Sequence, residues 1–284
     1  MDSKKKSIEK IGFGIAIMFL ISWIWAIFIR NKLNLTSIQN TIIGIIVLYV
    51  IGLCLFKLII KNIPNYKIEK GKISLKELVL CFLLQFSSIL VMSVLTVILS
   101  KITGNEIGGE IDALTPLMLF QLLIFNPIIE EYVFRKLFAD KLLKHGELLF
   151  MLTSSFCFSI VHGVSLGIPQ ILYTFILGMI WSYVYIKSGN LLVPIILHSL
   201  SNLFGSVIIQ SLQSVSQIAV SIYSMCIMLM GIVGIILFFS NKKKIKIDND
   251  NKLITKLALK DIFFNKGILF YIIITITMFI FKNI

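Results

Sequence analysis

Two adjacent carboxylates, Glu130 and Glu131, follow a proline at the end of a long apolar run and precede Arg135. A charged side chain inside a membrane costs about 3 kcal/mol or more, so such residues tend to mark functional sites. In a helix, Glu131 and Arg135 lie four residues apart in the order that favours an ion pair. Glu130 points about 100° away and has no partner nearby in the sequence. Glu130 is therefore the candidate for chemistry, with Glu131 and Arg135 as a supporting pair.

Three further polar side chains lie within apolar runs. His198 and Asn202 are four residues apart and share one face of a helix, as do Phe158 and His162. With a rise of about 1.5 Å per residue, Glu130 and His162 each lie roughly 20 Å from the basic loop that begins near residue 144. His198 lies roughly 15 Å from the basic residue at 187. We therefore expect three helices to bring these groups together at one level, in a site that opens toward the cytoplasm.

This set of side chains suits the hydrolysis of a peptide bond. An intramembrane carboxylate beside a neutral imidazole can activate water directly, without a serine or cysteine nucleophile. A histidine and an asparagine on one face can donate hydrogen bonds to an oxyanion that forms at the scissile carbonyl. A second possibility stays open, because Glu130, His162 and His198 could together chelate zinc.

The motifs carry a family resemblance. Glu-Glu-x-x-x-Arg at 130–135, Phe-x-x-x-His at 158–162 and His-x-x-x-Asn at 198–202 occur in that order. The sequence thereby resembles the CPBP family, which comprises the type II CAAX prenyl endopeptidases and the bacterial Abi relatives linked to bacteriocin processing and self-immunity. The resemblance covers about residues 112–210, and the hydrophobic flanks carry no signature.

The resemblance implies a role for each matched residue. Glu130 would be the general base on water with His162 assisting, and His198 and Asn202 would form the oxyanion hole. Glu131 and Arg135 would be the supporting ion pair, and Phe158 would pack beside the site. The family is read either as glutamic peptidases without a cofactor or as zinc metalloproteases, and we favour the first.

The implied substrate is a membrane-associated peptide or protein. A bias toward isoleucine, lysine and asparagine is typical of an AT-rich bacterium, which favours a leader peptide or peptide signal over a farnesylated protein. The alternative is a non-catalytic membrane partner protein, acting in bacteriocin self-immunity or in the regulation of a membrane sensor.

The composition predicts an integral membrane protein. Of the 284 residues, 57% are hydrophobic and only 14% are charged, well below the soluble average of about 25%. Spans of about 20 residues must be helical, because lipid offers backbone groups no hydrogen-bond partners. We therefore predict an all-α polytopic bundle of eight or nine spans, at about 11–29, 41–60, 77–99, 114–131, 148–164, 168–186, 191–209, 217–239 and, least regular, 267–281.

The net charge of +13 reflects orientation in the membrane and not a nucleic-acid partner. The lysines cluster in short loops, as cytoplasmic loops do, whereas Glu106, Glu110 and Asp112 form an acidic loop between two such clusters. We predict a bacterial cell-membrane protein with a cytoplasmic amino terminus.

Three regions are expected along the chain. Residues 1–111 form an amino-terminal transmembrane region, 112–210 the catalytic core, and 211–284 a carboxy-terminal region with a Lys/Asn-rich linker. The aromatic residues Tyr132, Phe134, Trp181, Tyr183 and Tyr185 are interpreted as lipid or interface contacts.

Overall fold

The computed structural model describes residues 3–104, 114–242, 245, 247 and 256–283. Within these ranges every regular element is a helix. In chain order the helices are α1 Ser3–Lys32, α2 Ser37–Ile60, α3 Leu75–Thr103, α4 Pro116–His145, α5 Glu147–Leu166, α6 Ile168–Ser188, α7 Leu192–Gln213, α8 Gln217–Asn241, α9 Lys256–Phe263 and α10 Lys266–Asn283.

The predicted polytopic helical bundle is confirmed. Seven of the described helices, α1–α4 and α6–α8, are long and apolar enough to cross a membrane, and α5 contains a shorter apolar stretch over Glu147–Gly163. The helix α10 coincides with the last predicted span and packs against α1 and α5. The predicted count of eight or nine spans fits approximately.

Some expectations fall outside the described residues. These are the acidic loop of Glu106, Glu110 and Asp112, the boundary between residues 111 and 112, and most of the Lys/Asn-rich linker. The division into three regions therefore stays a prediction.

Polar side chains set where several helices begin. The side chains of Thr36 and Ser74 each accept a hydrogen bond from the N–H of the third residue of the helix that follows. The side chain of that third residue accepts one in turn from the backbone N–H of Thr36 or Ser74. Thr115 accepts from the N–H of Met118 in the first turn of α4. Each cap satisfies helix-end N–H groups that would otherwise lack an acceptor.

Small residues allow the helices to approach closely. A Cβ atom at Gly178 on α6 would lie 2.9 Å from the Cβ of Ser155 on α5, too close for any larger residue. At Gly231 on α8 it would lie 2.8 Å from the carbonyl oxygen of Phe86 on α3. Such contacts are typical of membrane helices, whose association relies on close packing.

The basic segment between α2 and α3 is attached to the ends of α4 and α6. Lys141 donates to the carbonyl oxygen of Ile63 at 2.7 Å and to the side chain of Asn65 at 2.6 Å. The N–H of Gly71 donates to the carbonyl oxygen of Ser188 at 3.2 Å. We call this side of the bundle the basic-loop end. The opposite end carries the end of α1 and the starts of α2 and α4.

Candidate active site

The helix α4 is irregular where it carries the two glutamates. Turns with π-type hydrogen bonding occupy Gln121–Phe125 and Tyr132–Leu137, on either side of the α-helical segment Asn126–Glu131. Turns of this kind are rare and are frequently found at functional sites. Here they adjust the rotation of α4 just before and just after Glu130.

Pro127 explains how α7 is held against α4. Proline has no N–H, so it donates neither to Leu123, four residues back, nor to Leu122, five residues back. Ser199 donates to the Leu123 carbonyl oxygen at 2.6 Å, and the Asn202 amide donates to the Leu122 carbonyl oxygen at 2.8 Å. Two side chains of α7 thus satisfy the carbonyl groups next to the proline.

Glu131 is the centre of a fully buried polar cluster. One carboxylate oxygen, Oε2, lies 3.0 Å from Arg135 Nε. The other, Oε1, lies 3.0 Å from His198 Nδ1. The side chains of Glu131 and Arg135 are both 0% exposed, so each ion depends on the other. The expected pair is present, with His198 as an additional member. Because a carboxylate only accepts, His198 carries a proton on Nδ1.

Aromatic rings enclose this cluster. The Arg135 guanidinium lies 4.8 Å from the Phe158 ring centre and 5.3 Å from the Trp181 ring centre, within the range of cation–π attraction. Trp181 stacks on His198 at 4.1 Å and donates from Nε1 to the side-chain oxygen of Gln85 at 2.8 Å. Phe158 and Trp181 therefore support Arg135 and His198 directly.

The interpretation of several aromatic residues as lipid contacts is wrong. Trp181 is 1% exposed, and Phe134, Tyr183 and Tyr185 are also buried. Tyr132 is partly buried, with the Lys57 ammonium 4.9 Å from its ring centre. These residues face the bundle interior because of helix rotation, which their residue types alone do not reveal.

Glu130 has a different environment from Glu131. Its side chain is 17% exposed, and with His162 it lines a cavity of about 150 Å³ that we call the Glu130 cavity. A water molecule occupies about 30 Å³ of liquid, so the cavity has room for more than one. The other lining residues are Met18, Phe19, Leu48, Tyr49, Val133, Phe134 and Val161.

His162 is oriented by its own helix. Its Nδ1 lies 2.8 Å from the carbonyl oxygen of Phe158, which can only accept, so Nδ1 carries the proton. In the neutral ring, Nε2 is then free to accept a hydrogen bond. The ring also packs on Phe158 at 4.6 Å between ring centres, as the four-residue spacing predicts.

The structure brings together most of the expected residues. Glu130 and His162 share the cavity, and His198 Nε2 lies 3.8 Å from a Glu130 carboxylate oxygen. The Asn202 amide donates one of its two N–H groups to the Leu122 carbonyl oxygen. The amide has one further N–H, so the oxyanion role of Asn202 stays a prediction.

The alternative zinc set is not assembled. Among the described residues, no three His, Cys, Asp or Glu side chains form a group that could hold a metal ion. His198 directs Nδ1 at Glu131, and His162 directs Nδ1 at its own helix backbone. Glu130, His162 and His198 in this arrangement do not match a tetrahedral zinc site.

Several site residues lie where sequence reasoning found none. Met18, Phe19 and Tyr49 belong to the amino-terminal region without motifs, yet they line the Glu130 cavity. Gln85 hydrogen-bonds Trp181 from α3. One signal was present in the sequence, since Gln85 is an uncharged polar residue in the middle of an apolar span.

Comparison with known proteins gives two matches. Residues 112–204 match the family model described as type II CAAX prenyl endopeptidase Rce1-like. The membrane-embedded CAAX protease MroQ of Staphylococcus aureus (strain USA300) is 30% identical over 165 residues, which is 53% of this chain and 65% of that protein. No solved structure matches. The resemblance of the motif core to the CPBP family is thereby confirmed, and the aligned part of the chain spans just under two thirds of MroQ.

Proposed function

We propose that this protein is an intramembrane endopeptidase that hydrolyses a peptide bond in a membrane-associated peptide or protein. One observation carries the proposal: of two adjacent glutamates, Glu131 is 0% exposed and paired with Arg135, whereas Glu130 lines a cavity that His162 also lines. The proteins matched by the motif core are CAAX proteases, which agrees with this chemistry.

In the proposed mechanism, Glu130 takes a proton from a water molecule in the cavity. The resulting hydroxide attacks the scissile carbonyl carbon, so that a C–O bond forms and an oxyanion develops. Collapse of that intermediate breaks the C–N bond, and the proton held by Glu130 passes to the departing amine nitrogen. His162 Nε2 accepts a hydrogen bond from the attacking water and orients it.

Two side chains are proposed to stabilise the oxyanion. Asn202 offers the N–H that Leu122 does not use, and His198 offers Nε2–H when its ring is doubly protonated. Donors of this kind contribute about 10²- to 10³-fold each in peptidases of other classes.

Comparison of membrane peptides tests the proposal. Cells carrying the wild type should contain cleaved peptides that are absent with Glu130→Gln, although the variant accumulates as folded protein in the membrane. Glu147→Gln is the matched control, because Glu147 pairs with Lys187 near the basic-loop end, away from the cavity. Identical peptides in wild type and Glu130→Gln cells would overturn the mechanism.

The same variant separates catalysis from a partner role. Full biological function of Glu130→Gln would favour the non-catalytic role in self-immunity or sensor regulation. With purified wild type, activity that persists under strong chelation is expected. Loss of activity that zinc restores would instead assign the metalloenzyme.

A further inference from the structure

A second, larger cavity adjoins the Glu130 cavity. It has a volume of about 630 Å³, lies between α1, α2 and α4, and is open to the outside of the bundle. The two cavities share Leu48 and Tyr49 as lining residues. We call the larger one the vestibule. Its other lining residues are Ser22, Trp25, Ala26, Arg30, Ser37, Asn40, Thr41, Gly44, Ile45, Gln121 and Asn126.

The lining of the vestibule suits a polypeptide better than a lipid chain. It presents hydroxyl and carboxamide groups from α1, α2 and α4, and its volume is in the range of ligand sites, about 300–1,000 Å³. The side-chain oxygen of Asn40 is buried and has no hydrogen-bond partner among the described residues. A peptide backbone brings N–H donors, and such an acceptor can satisfy one of them.

The vestibule also has a definite direction. Gln121 and Asn126 precede Glu130 on α4, which starts at the end opposite the basic loops. Arg30 lies at the end of α1, and Ser37 and Asn40 lie at the start of α2, on the same side. The vestibule therefore extends from the level of Glu130 away from the basic-loop end. We expected the site to open toward the basic loops, and the cavities lead the other way.

Tyr49 lies at the junction of the two cavities. It belongs to a π-type turn of α2, Ile46–Gly52, and its ring makes an edge contact with Phe125 of α4 at 5.5 Å. Tyr49 and Glu130 both line the Glu130 cavity. A peptide that passes from the vestibule to Glu130 must therefore pass Tyr49.

We propose that the vestibule binds an extended, polar segment of the substrate on one side of the scissile bond. The substrate enters from the end of the bundle opposite the basic loops, and Tyr49 guides it to Glu130. Arg30 at the mouth favours a segment that carries a carboxylate. The proposal rests on the proposed peptidase function, and it adds a substrate-binding site and a side of entry.

The first test fills the vestibule. Gly44 lines it, and a Cβ atom there meets nothing closer than Trp25 Nε1 at 3.9 Å, so Gly44→Leu introduces bulk without a backbone clash. We expect the amount of cleaved membrane peptide to fall at least tenfold. The matched control is Val50→Phe, which adds bulk on the exposed face of the same helix and should cleave at the wild-type rate.

Asn40→Leu is the second variant, and it keeps the test valid if Gly44→Leu does not fold. Leucine is similar in size to asparagine, so this substitution removes the polar amide without adding bulk. A reduced yield of cleaved peptide supports the proposal. If folded Gly44→Leu or Asn40→Leu cleaves at the wild-type rate, the proposed role of the vestibule is overturned. Loss of cleavage in Glu130→Gln would still support the proposed peptidase function. Wild-type cleavage by Glu130→Gln overturns both.

The second test measures the side of entry without a substrate. The background protein has serine in place of the two exposed cysteines, Cys54 and Cys226. One variant then adds Thr41→Cys, and a separate variant adds Lys67→Cys. Thr41 lines the vestibule and Lys67 is exposed at the basic-loop end. A membrane-impermeant maleimide should label Thr41→Cys in intact cells, and Lys67→Cys only after permeabilisation. Any other pattern overturns entry from the outer side.

Discussion

Glu130 and Glu131 are neighbours in sequence and opposites in environment. Glu131 is fully buried and engages Arg135 and His198 on its two oxygens. Glu130 retains 17% exposure, lines a cavity and has His198 only at 3.8 Å. The difference arises from the rotation of about 100° between successive residues of a helix, which directs one carboxylate inward to α7 and the other toward α1 and α2.

The comparison shows how a membrane protein can keep an acid available for chemistry. The buried carboxylate neutralises Arg135 and fixes His198, so the costs of the buried charges offset one another. Glu130 then faces a cavity with room for water, which it shares with His162, whose Nδ1 proton is fixed by the Phe158 carbonyl oxygen. Four substitutions can break or sharpen this contrast between the two acids.

The largest effect on activity is expected for Glu130→Gln. A general base contributes about 10²- to 10⁴-fold to the rate, so peptide cleavage should fall by that factor. Folding should change little, because the side chain lines a cavity and its carboxylate lies 3.8 Å from His198 Nε2, beyond hydrogen-bond distance. Peptide yield measures the first effect, and thermal unfolding in detergent measures the second. A large loss of stability would show that Glu130 also has a structural role.

The largest effect on stability is expected for Arg135→Met. Breaking a buried ion pair leaves Glu131 charged with only the hydrogen bond from His198, at a cost of about 3–5 kcal/mol. The matched control is the double variant Glu131→Gln with Arg135→Met, which removes both charges and should recover much of the loss. Thermal unfolding of the two purified proteins measures the difference. Equal destabilisation of both would contradict the coupling inferred here.

A smaller effect is expected for Trp181→Phe. The substitution keeps an aromatic ring beside His198 but removes the N–H that donates to the side-chain oxygen of Gln85. That buried oxygen is then left without a hydrogen bond. The expected cost is about 1–3 kcal/mol. Adding Gln85→Leu should restore stability, since the unsatisfied group is then gone. If the second substitution lowers the unfolding temperature further, the hydrogen bond is not the source of the effect.

The smallest effect is expected for Ser199→Ala. The change removes the donor to the Leu123 carbonyl oxygen next to Pro127, at a cost of about 1 kcal/mol. Ser211→Ala is the control, because the Ser211 hydroxyl donates within its own helix to Val207 and links no other element. A lower unfolding temperature for Ser199→Ala alone is the expected result. Matching values would show that the contact between α4 and α7 does not depend on Ser199.

The sequence is sufficient to predict the helical bundle and the position of the Glu131–Arg135 pair. Both follow from local rules, namely the length of apolar runs and the spacing of four residues on one helix face. The grouping of Glu130, His162 and His198 follows from their motifs. Local rules do not give the rotation of one helix against another, so they do not place Trp181 in the bundle interior, nor Tyr49 and Gln85 beside the site.

The direction of the cavities could not be predicted for a related reason. The number of residues between a side chain and a basic loop gives its depth in the membrane, but not which neighbouring helices leave a space. That space depends on the packing of α1 and α2, whose residues match no motif. Ser199 and Asn202 of α7, which donate to the carbonyl groups that Pro127 leaves without its N–H, lie more than 70 residues away in the chain.

The carbonyl groups of Leu122 and Leu123 also constrain how the protein is made. During synthesis α4 reaches the membrane before α7 exists, so at that stage the side chains that satisfy these carbonyls are absent. The buried Arg135 likewise lacks the ring of Trp181 until α6 has been made. Lipid cannot solvate open carbonyls or an uncovered guanidinium. Nascent α4 should therefore stay within the insertion machinery, or beside water, and enter the bilayer together with α6 and α7 as one unit.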